Sequence, residues 1–196
     1  MEEPETILNP DPPNRKKIFI PIIIILGLII GVLTTIKASV HKDLNTTFQA
    51  IEIAEGNTLP DFELTKLDGT KTRVSAINGK VFMINFWATW CEACMEEMPS
   101  IVTLREHYSA KEFEVLGINV DENQTEVVPA VARKVGIKFP LFSDPENRLA
   151  EMFDVHAIPL TVILNKTRKI LLVEPGGRDW NADEMHQLID KWLLDN

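Results

Sequence analysis

The stretch Val81-Phe82-Met83-Ile84-Asn85-Phe86-Trp87-Ala88-Thr89-Trp90-Cys91-Glu92-Ala93-Cys94 decides the reading of this chain. It opens with an apolar run broken only by Asn85, the pattern of a strand buried on both faces. The residues after it suit a helix over 92–109, so Cys91 and Cys94 fall at a strand-to-helix junction. They are the only cysteines in the sequence. Two thiols at this spacing can close into a disulfide and reopen. A helix N-terminus, with its unpaired N–H groups and positive dipole end, favours a thiolate at Cys91.

The same spacing is half of many zinc sites, but here the other half is missing. Tetrahedral zinc needs four ligands, and His41, His107, His156 and His186 are scattered singly. No metal is therefore expected. A purely structural bridge is the other plain reading, yet closing so short a loop removes little chain entropy and makes a poor staple.

Ahead of this segment, residues 18–36 carry no charge. At about 1.5 Å per helical residue they nearly match a hydrocarbon core of about 30 Å, so they read as a transmembrane anchor. Ile36-Lys37-Ala38 is a poor cleavage site, which favours an uncleaved helix over a signal peptide. Arg15, Lys16 and Lys17 crowd its N-terminal end against Lys37 and Lys42 beyond it, which points the N-terminus into the cytoplasm. The expected organisation is a cytoplasmic tail at 1–17, the anchor at 18–36, a juxtamembrane linker at 37–54 and a soluble domain at 55–196 on the extracytoplasmic side of the inner membrane. Gly27 and Gly31 form a small-xxx-small pair, the basis for a weak dimer through the anchor. Residues 1–37 hold four acids and four bases, so the whole net charge of −9 falls on the soluble part and speaks against nucleic acid as a partner.

Within that part strands and helices alternate, implying an α/β fold with a central sheet covered by helices. Phe62-Glu63-Leu64 and Lys71-Thr72-Arg73-Val74 flank Asp68-Gly69 and predict a hairpin. Strand 81–87, helix 92–109, strand 113–120, helix 125–135, a short strand at 140–142 and helix 146–153 follow. Strands 161–164 and 169–174, the Gly176-Gly177 turn and helix 182–194 complete the order.

The segment Phe86-Trp87-Ala88-Thr89-Trp90-Cys91-Glu92-Ala93-Cys94, with Pro99 and the later Ile158-Pro159, resembles the thioredoxin superfamily, and most closely its membrane-anchored TlpA/ResA-like branch. The likeness runs from Leu59-Pro60-Asp61-Phe62 to the last helix. It implies a thioredoxin-like fold with a mixed sheet, an N-terminal hairpin, an inserted helix and strand, and no cofactor. It also implies a cis bond at Ile158-Pro159 in a loop that offers backbone groups to a bound peptide, with Trp90 shaping the docking surface. Leu160 departs from the threonine these loops often carry.

Cys91 is the expected nucleophile, as the first helical and more exposed of the pair, with Cys94 resolving the mixed disulfide. Glu97 shares a helix face with Cys94, and ResA-like proteins keep a glutamate there in the active-site cavity. A partly desolvated carboxyl at that place can exchange protons with Cys94. Asn85 stands where thioredoxin has a buried aspartate, which leaves Glu97 the nearest candidate for that task. Met95 and Met98 read as core filling or a soft contact surface, and His156 as a surface residue near the proline loop.

Glu92, Glu96 and Glu97 surround the helix start with negative charge, opposing the dipole and disfavouring the thiolate form. That points to a reductant of disulfide-bearing client proteins, apocytochrome c or metal-site assembly proteins by resemblance, resupplied by a membrane thiol-transfer partner of the CcdA/DsbD kind. Two other functions compete. Peroxidase chemistry lacks its P-x-x-x-T-x-x-C signature, with Ala88 where the threonine belongs. A copper(I) carrier could use the same two soft thiolates.

Overall fold

A computed structural model of the protein describes Gly31 and residues 52–108 and 112–195. The chain divides into two units, Met1–Gln49 and Ala50–Asn196, and the elements below belong to the second. The expected tail and anchor, and all but the end of the expected linker, lie outside the described residues, Gly31 apart. Among the described residues no helix is long and apolar enough to cross a membrane.

The second unit is a seven-stranded mixed sheet with helices on both faces. Its elements are β1 (Glu63–Lys66), β2 (Lys71–Arg73), a 3-10 turn (Val74–Ala76), β3 (Val81–Trp87), α1 (Glu92–Tyr108), β4 (Phe113–Asn119), α2 (Gln124–Val135), β5 (Leu141–Ser143), α3 (Arg148–Met152), β6 (Leu160–Asn165), β7 (Ile170–Pro175) and α4 (Asp183–Asp195). Across the sheet the order is β2-β1-β5-β4-β3-β6-β7. β3 runs parallel to β4, and β4 to β5. The pairs β3–β6, β6–β7, β1–β2 and β1–β5 are antiparallel. This is a thioredoxin-like arrangement in which β5 extends the sheet on the far edge of β4 and ties in the hairpin.

Every residue of β3 is buried, as an apolar run at the centre of a sheet covered on both sides must be. Its alternation sorts the core. Val81, Met83 and Trp87 join the cluster containing Met98, Ile101 and Leu104 of α1 and Met185 and Ile189 of α4. Phe82, Ile84 and Phe86 join the opposite cluster with Phe62, Leu64, Phe142 and Phe153. Asn85 has the parity of Met83 and Trp87 and so points toward α1. The register sets it directly opposite Thr161 on β6. On α1 the buried residues are Cys94, Glu97, Met98, Ile101, Leu104 and Tyr108, a helical stripe that contains one acid.

Candidate active site

Ala88, Thr89 and Trp90 carry the chain from β3 into the helix, and this turn is held from below. Asp121, just past the end of β4, is buried and accepts the Thr89 main-chain N–H and hydroxyl, each at 2.8 Å. The Asn119 side-chain amide donates to the same carboxylate at 2.7 Å. Asn119 pairs with Trp87 across β3 and β4, so the sheet register brings this anchor under the turn.

Cys91 corrects one expectation. It is not the first helical residue but the residue before it: its carbonyl accepts the Met95 N–H at 3.1 Å, and its Sγ accepts the Cys94 N–H at 3.2 Å. A sulfur here takes the place of the oxygen that usually caps a helix N-terminus. Cys91 and Cys94 are joined as a disulfide, with Cα atoms 5.2 Å apart. Cys91 is 8% exposed and Cys94 not at all, so an incoming sulfur can reach only the first of the pair.

The Ile158–Pro159 peptide bond is cis. The Pro159 carbonyl accepts the Gly176 N–H at 2.8 Å, which ties this loop to the end of β7. Leu160, the departure from the family's usual threonine, is buried and pairs with Phe86 in the sheet. A groove of about 940 Å³ runs alongside. Its lining includes Thr89 and Trp90, which precede Cys91, and His156, Ala157 and Ile158, which precede Pro159. Trp90 is 70% exposed, a large aromatic face left in solvent at the rim. His156 is exposed, with its Nε2 3.1 Å from an Asp154 carboxylate oxygen. Met98 is fully buried core, whereas Met95 is half-buried against the same cluster.

Glu97 corrects a second expectation, for it adds nothing to the surface charge around the helix start. It is only 3% exposed, whereas Glu92 and Glu96 lie in solvent. Its Oε1 accepts the Asn85 amide at 2.8 Å, and its Oε2 accepts the Trp180 indole N–H at 2.8 Å. The Asn85 amide also donates to the Thr161 hydroxyl at 2.9 Å. Burial pushes the Glu97 carboxyl above its ordinary value, against the lowering pull of the Trp180 and Asn85 side chains and the Arg178 main-chain N–H. Glu97 is also among the residues lining a second cavity of about 430 Å³, between α1 and the Gly177–Arg178–Asp179 segment.

The chain's residues 56–173 match the AhpC/TSA family. The chain belongs to the AhpC/TSA family. Within it, the chain is 30% identical over 163 residues to the thiol-disulfide oxidoreductase ResA of Bacillus subtilis, covering 83% of this chain and 87% of that one. The ResA of Geobacillus kaustophilus is 31% identical, over 80% of this chain and 90% of that one. Among solved structures, a thiol:disulfide interchange protein of Chlorobium tepidum superposes with a TM-score of 0.61 at 25% identity, over 71% of this chain and 98% of that one. This AhpC/TSA member is thus a ResA-like thiol–disulfide oxidoreductase of the thioredoxin superfamily, and Cys91 and Cys94 form its dithiol–disulfide pair.

The sequence reading gives Cys91, Cys94, Glu97, Trp90, Ile158 and Pro159 as the site. The structure puts Trp90 and Ile158 on one groove, and Glu97 on a separate cavity with Ala93 and Glu96. Two groups escaped it: the Thr89–Asp121–Asn119 anchor and Trp180. A lone tryptophan in the polar run Arg178-Asp179-Trp180-Asn181 was the available signal for the second.

Proposed function

We propose that this protein is a membrane-anchored, extracytoplasmic reductant of client-protein disulfides. The observation that carries the reading is the Cys91–Cys94 disulfide at the start of α1, next to a groove rimmed by the exposed Trp90 and the residues leading to Pro159. In the reduced protein the Cys91 thiolate attacks one sulfur of a client disulfide. The client's other sulfur leaves as a thiolate and takes up a proton. Cys94 then attacks Cys91 Sγ, which releases the client's second thiol and forms the intramolecular disulfide. Two electrons pass to the client, and a membrane thiol-transfer partner of the CcdA/DsbD kind returns them. Cys94 is sealed from solvent, so its thiol proton needs a local acceptor, and Glu97, one helical turn further on the same face, is that acceptor.

The reducing direction has support in the charges. The Cys94 N–H at 3.2 Å and the helix dipole stabilise negative charge on Cys91 Sγ, while the exposed Glu92 and Glu96 oppose it. A thiolate held weakly makes the dithiol the better electron donor. The 18–36 segment and its basic flank support the anchor and its orientation, and the family resemblance of the cysteine segment suggests apocytochrome c or metal-site assembly proteins as clients.

Equilibrating the full chain in detergent with redox buffers tests the direction. We expect a potential nearer thioredoxin's about −270 mV than the about −120 mV of the oxidant DsbA. A value at the oxidant end would refute it. Trapping with Cys94→Ala in cells names the client, and reporter fusions at the C-terminus settle the side of the membrane.

A further inference from the structure

We propose that Trp180 is a positioning residue for the exchange reaction, a fixed donor that holds one oxygen of Glu97 and so decides where on that carboxyl the proton is carried. The inference rests on the reading of Glu97 as the proton acceptor for Cys94, and it assigns a role to a residue outside the cysteine motif and the proline loop.

Trp180 is fully buried and is fastened to α1 at two points. Its indole N–H donates to Glu97 Oε2 at 2.8 Å, and its main-chain N–H donates to Ser100 Oγ at 3.0 Å. The Ser100 hydroxyl in turn donates to the Glu97 carbonyl at 2.7 Å, closing a ring of contacts around one helical turn. Close packing keeps this segment against the helix: a Cβ on Gly177 would stand 3.1 Å from the Ala93 carbonyl oxygen. Burial alone does not dictate the indole contact. Trp87 is as deeply buried, and its Nε1 has no hydrogen-bond partner among the described residues.

The two side-chain partners of the carboxyl differ in kind. An indole N–H can only donate, whereas a side-chain amide both donates and accepts. Oε2 therefore stays an acceptor in both protonation states, and the proton goes to Oε1, facing Asn85. There the Asn85 amide can turn its oxygen toward the carboxyl O–H, and the Thr161 hydroxyl can reverse to match. Among the described residues, no charged group is paired with the Glu97 carboxyl. Glu96 and the Cys94 thiol lie on α1, Asp179 on the loop, and from β3 and β6 the neutral Asn85 and Thr161 join the network. Arg178 gives Glu97 its main-chain N–H, but its guanidinium contacts Glu174 at 2.7 Å and Glu184 at 3.6 Å. The anion is thus held by N–H donors, and losing one must be felt.

The test uses the full chain in detergent and follows the rate of exchange with a model disulfide against pH. Trp180→Phe keeps the apolar ring and deletes the donor. The limb governed by Glu97 should move to higher pH by about one unit or more, because a hydrogen bond to a charged group has been removed. Glu97→Gln should lack that limb, and the double variant should match Glu97→Gln. A Trp180→Phe limb at the parent position, with the limb still absent in Glu97→Gln, overturns the role of Trp180 and leaves Glu97 standing. A limb that survives in Glu97→Gln overturns the Glu97 reading itself, and the positioning role with it. Should Trp180→Phe not fold, the assigned Trp180 indole resonance of ¹⁵N-labelled parent protein decides. It should titrate with pH in the parent and stay still in Glu97→Gln; a resonance indifferent to pH in the parent overturns the proposal.

Discussion

Asp121 has no part in the chemistry proposed above, yet its replacement should disable the site. Asp121→Ala strips the acceptor from three donors: the Thr89 N–H, the Thr89 hydroxyl and the Asn119 amide. Asn119 is fully buried, so its amide would be left unsatisfied at a cost of about 1–3 kcal/mol. Thr89 is only half-buried, and water can recover part of what its two groups lose. The sum is about 2–4 kcal/mol of unfolding free energy. Asp121→Asn is the discriminating control. An amide oxygen at the Oδ2 position keeps both the Thr89 N–H and the Asn119 amide, and its NH₂ faces a hydroxyl that can reverse and accept. Only the charge assistance goes, about 1 kcal/mol. Urea denaturation of the two variants reads these values directly. The rate of reaction with a model disulfide reads the second effect, a turn carrying Trp90 and Cys91 that is no longer pinned. If Asp121→Ala costs under about 0.5 kcal/mol, or no more than Asp121→Asn, the carboxylate does not anchor this turn and the reasoning fails.

In cells, Cys94→Ala should accumulate covalent client adducts and Cys91→Ala almost none, and alkylation of the reduced protein should strike Cys91 first; adducts mainly on Cys94 would reverse the assignment. The Glu97 carboxyl has a folded pKa above its unfolded one, so its contribution to stability is fully present below the unfolded pKa and is lost as pH rises through the folded pKa. Glu97→Gln should flatten the stability profile above the ordinary carboxyl range, by about 1.4 kcal/mol for each pH unit between the two pKa values. Urea melts across pH check it, with Glu96→Gln as the solvent-exposed control, and parallel profiles for Glu97→Gln and the parent would contradict it. Gly177→Val forces a branched side chain against the Ala93 carbonyl, for which we expect about 1–3 kcal/mol of destabilisation and slower exchange. A melt unchanged from the parent would show that the loop gives way freely.

The sheet and the cysteine pair were legible because their signals are local. The unbroken apolar run of β3 needs both faces covered, and the cysteine spacing after it needs no knowledge of distant residues. Glu97 was legible in part: the helical stripe Cys94, Met98, Ile101, Leu104 runs through it, so an acid there faces the core. What the local pattern could not tell is its partners. Asn85 reaches Glu97 because strand parity turns it toward α1. Trp180 reaches it only through a loop that returns from the other edge of the sheet, 83 positions along the chain. The same limit hid the hairpin's docking on β5, where Thr65 pairs with Ser143, since nothing in either short strand marks the other. The start of α1 at Glu92 was legible, but not that Cys91 caps it, because capping is usually read from oxygen-bearing side chains and here a sulfur does it.

The two openings at the head of α1 share no lining residue, and that separation bears on how exchange is organised. The groove bordered by Trp90 and Ile158 is where a client chain would lie, with Cys91 the accessible sulfur. The cavity bordered by Glu97, Arg178 and Asp179 opens on another side of the same helix turn. If one opening served both tasks, a docked client would cover the carboxyl and block its exchange with water at the moment Cys94 must lose its proton. With the tasks divided, a client in the groove leaves the cavity lined by Glu97 uncovered, as the proposed proton transfer from Cys94 asks. Glu97 follows Cys94 by one helical turn on the buried face of α1, so the proposed acceptor and the thiol share that face. In the proposed mechanism a buried acid one helical turn from a buried thiol, lining a cavity that shares no residue with the groove, lets resolution proceed while the client stays bound.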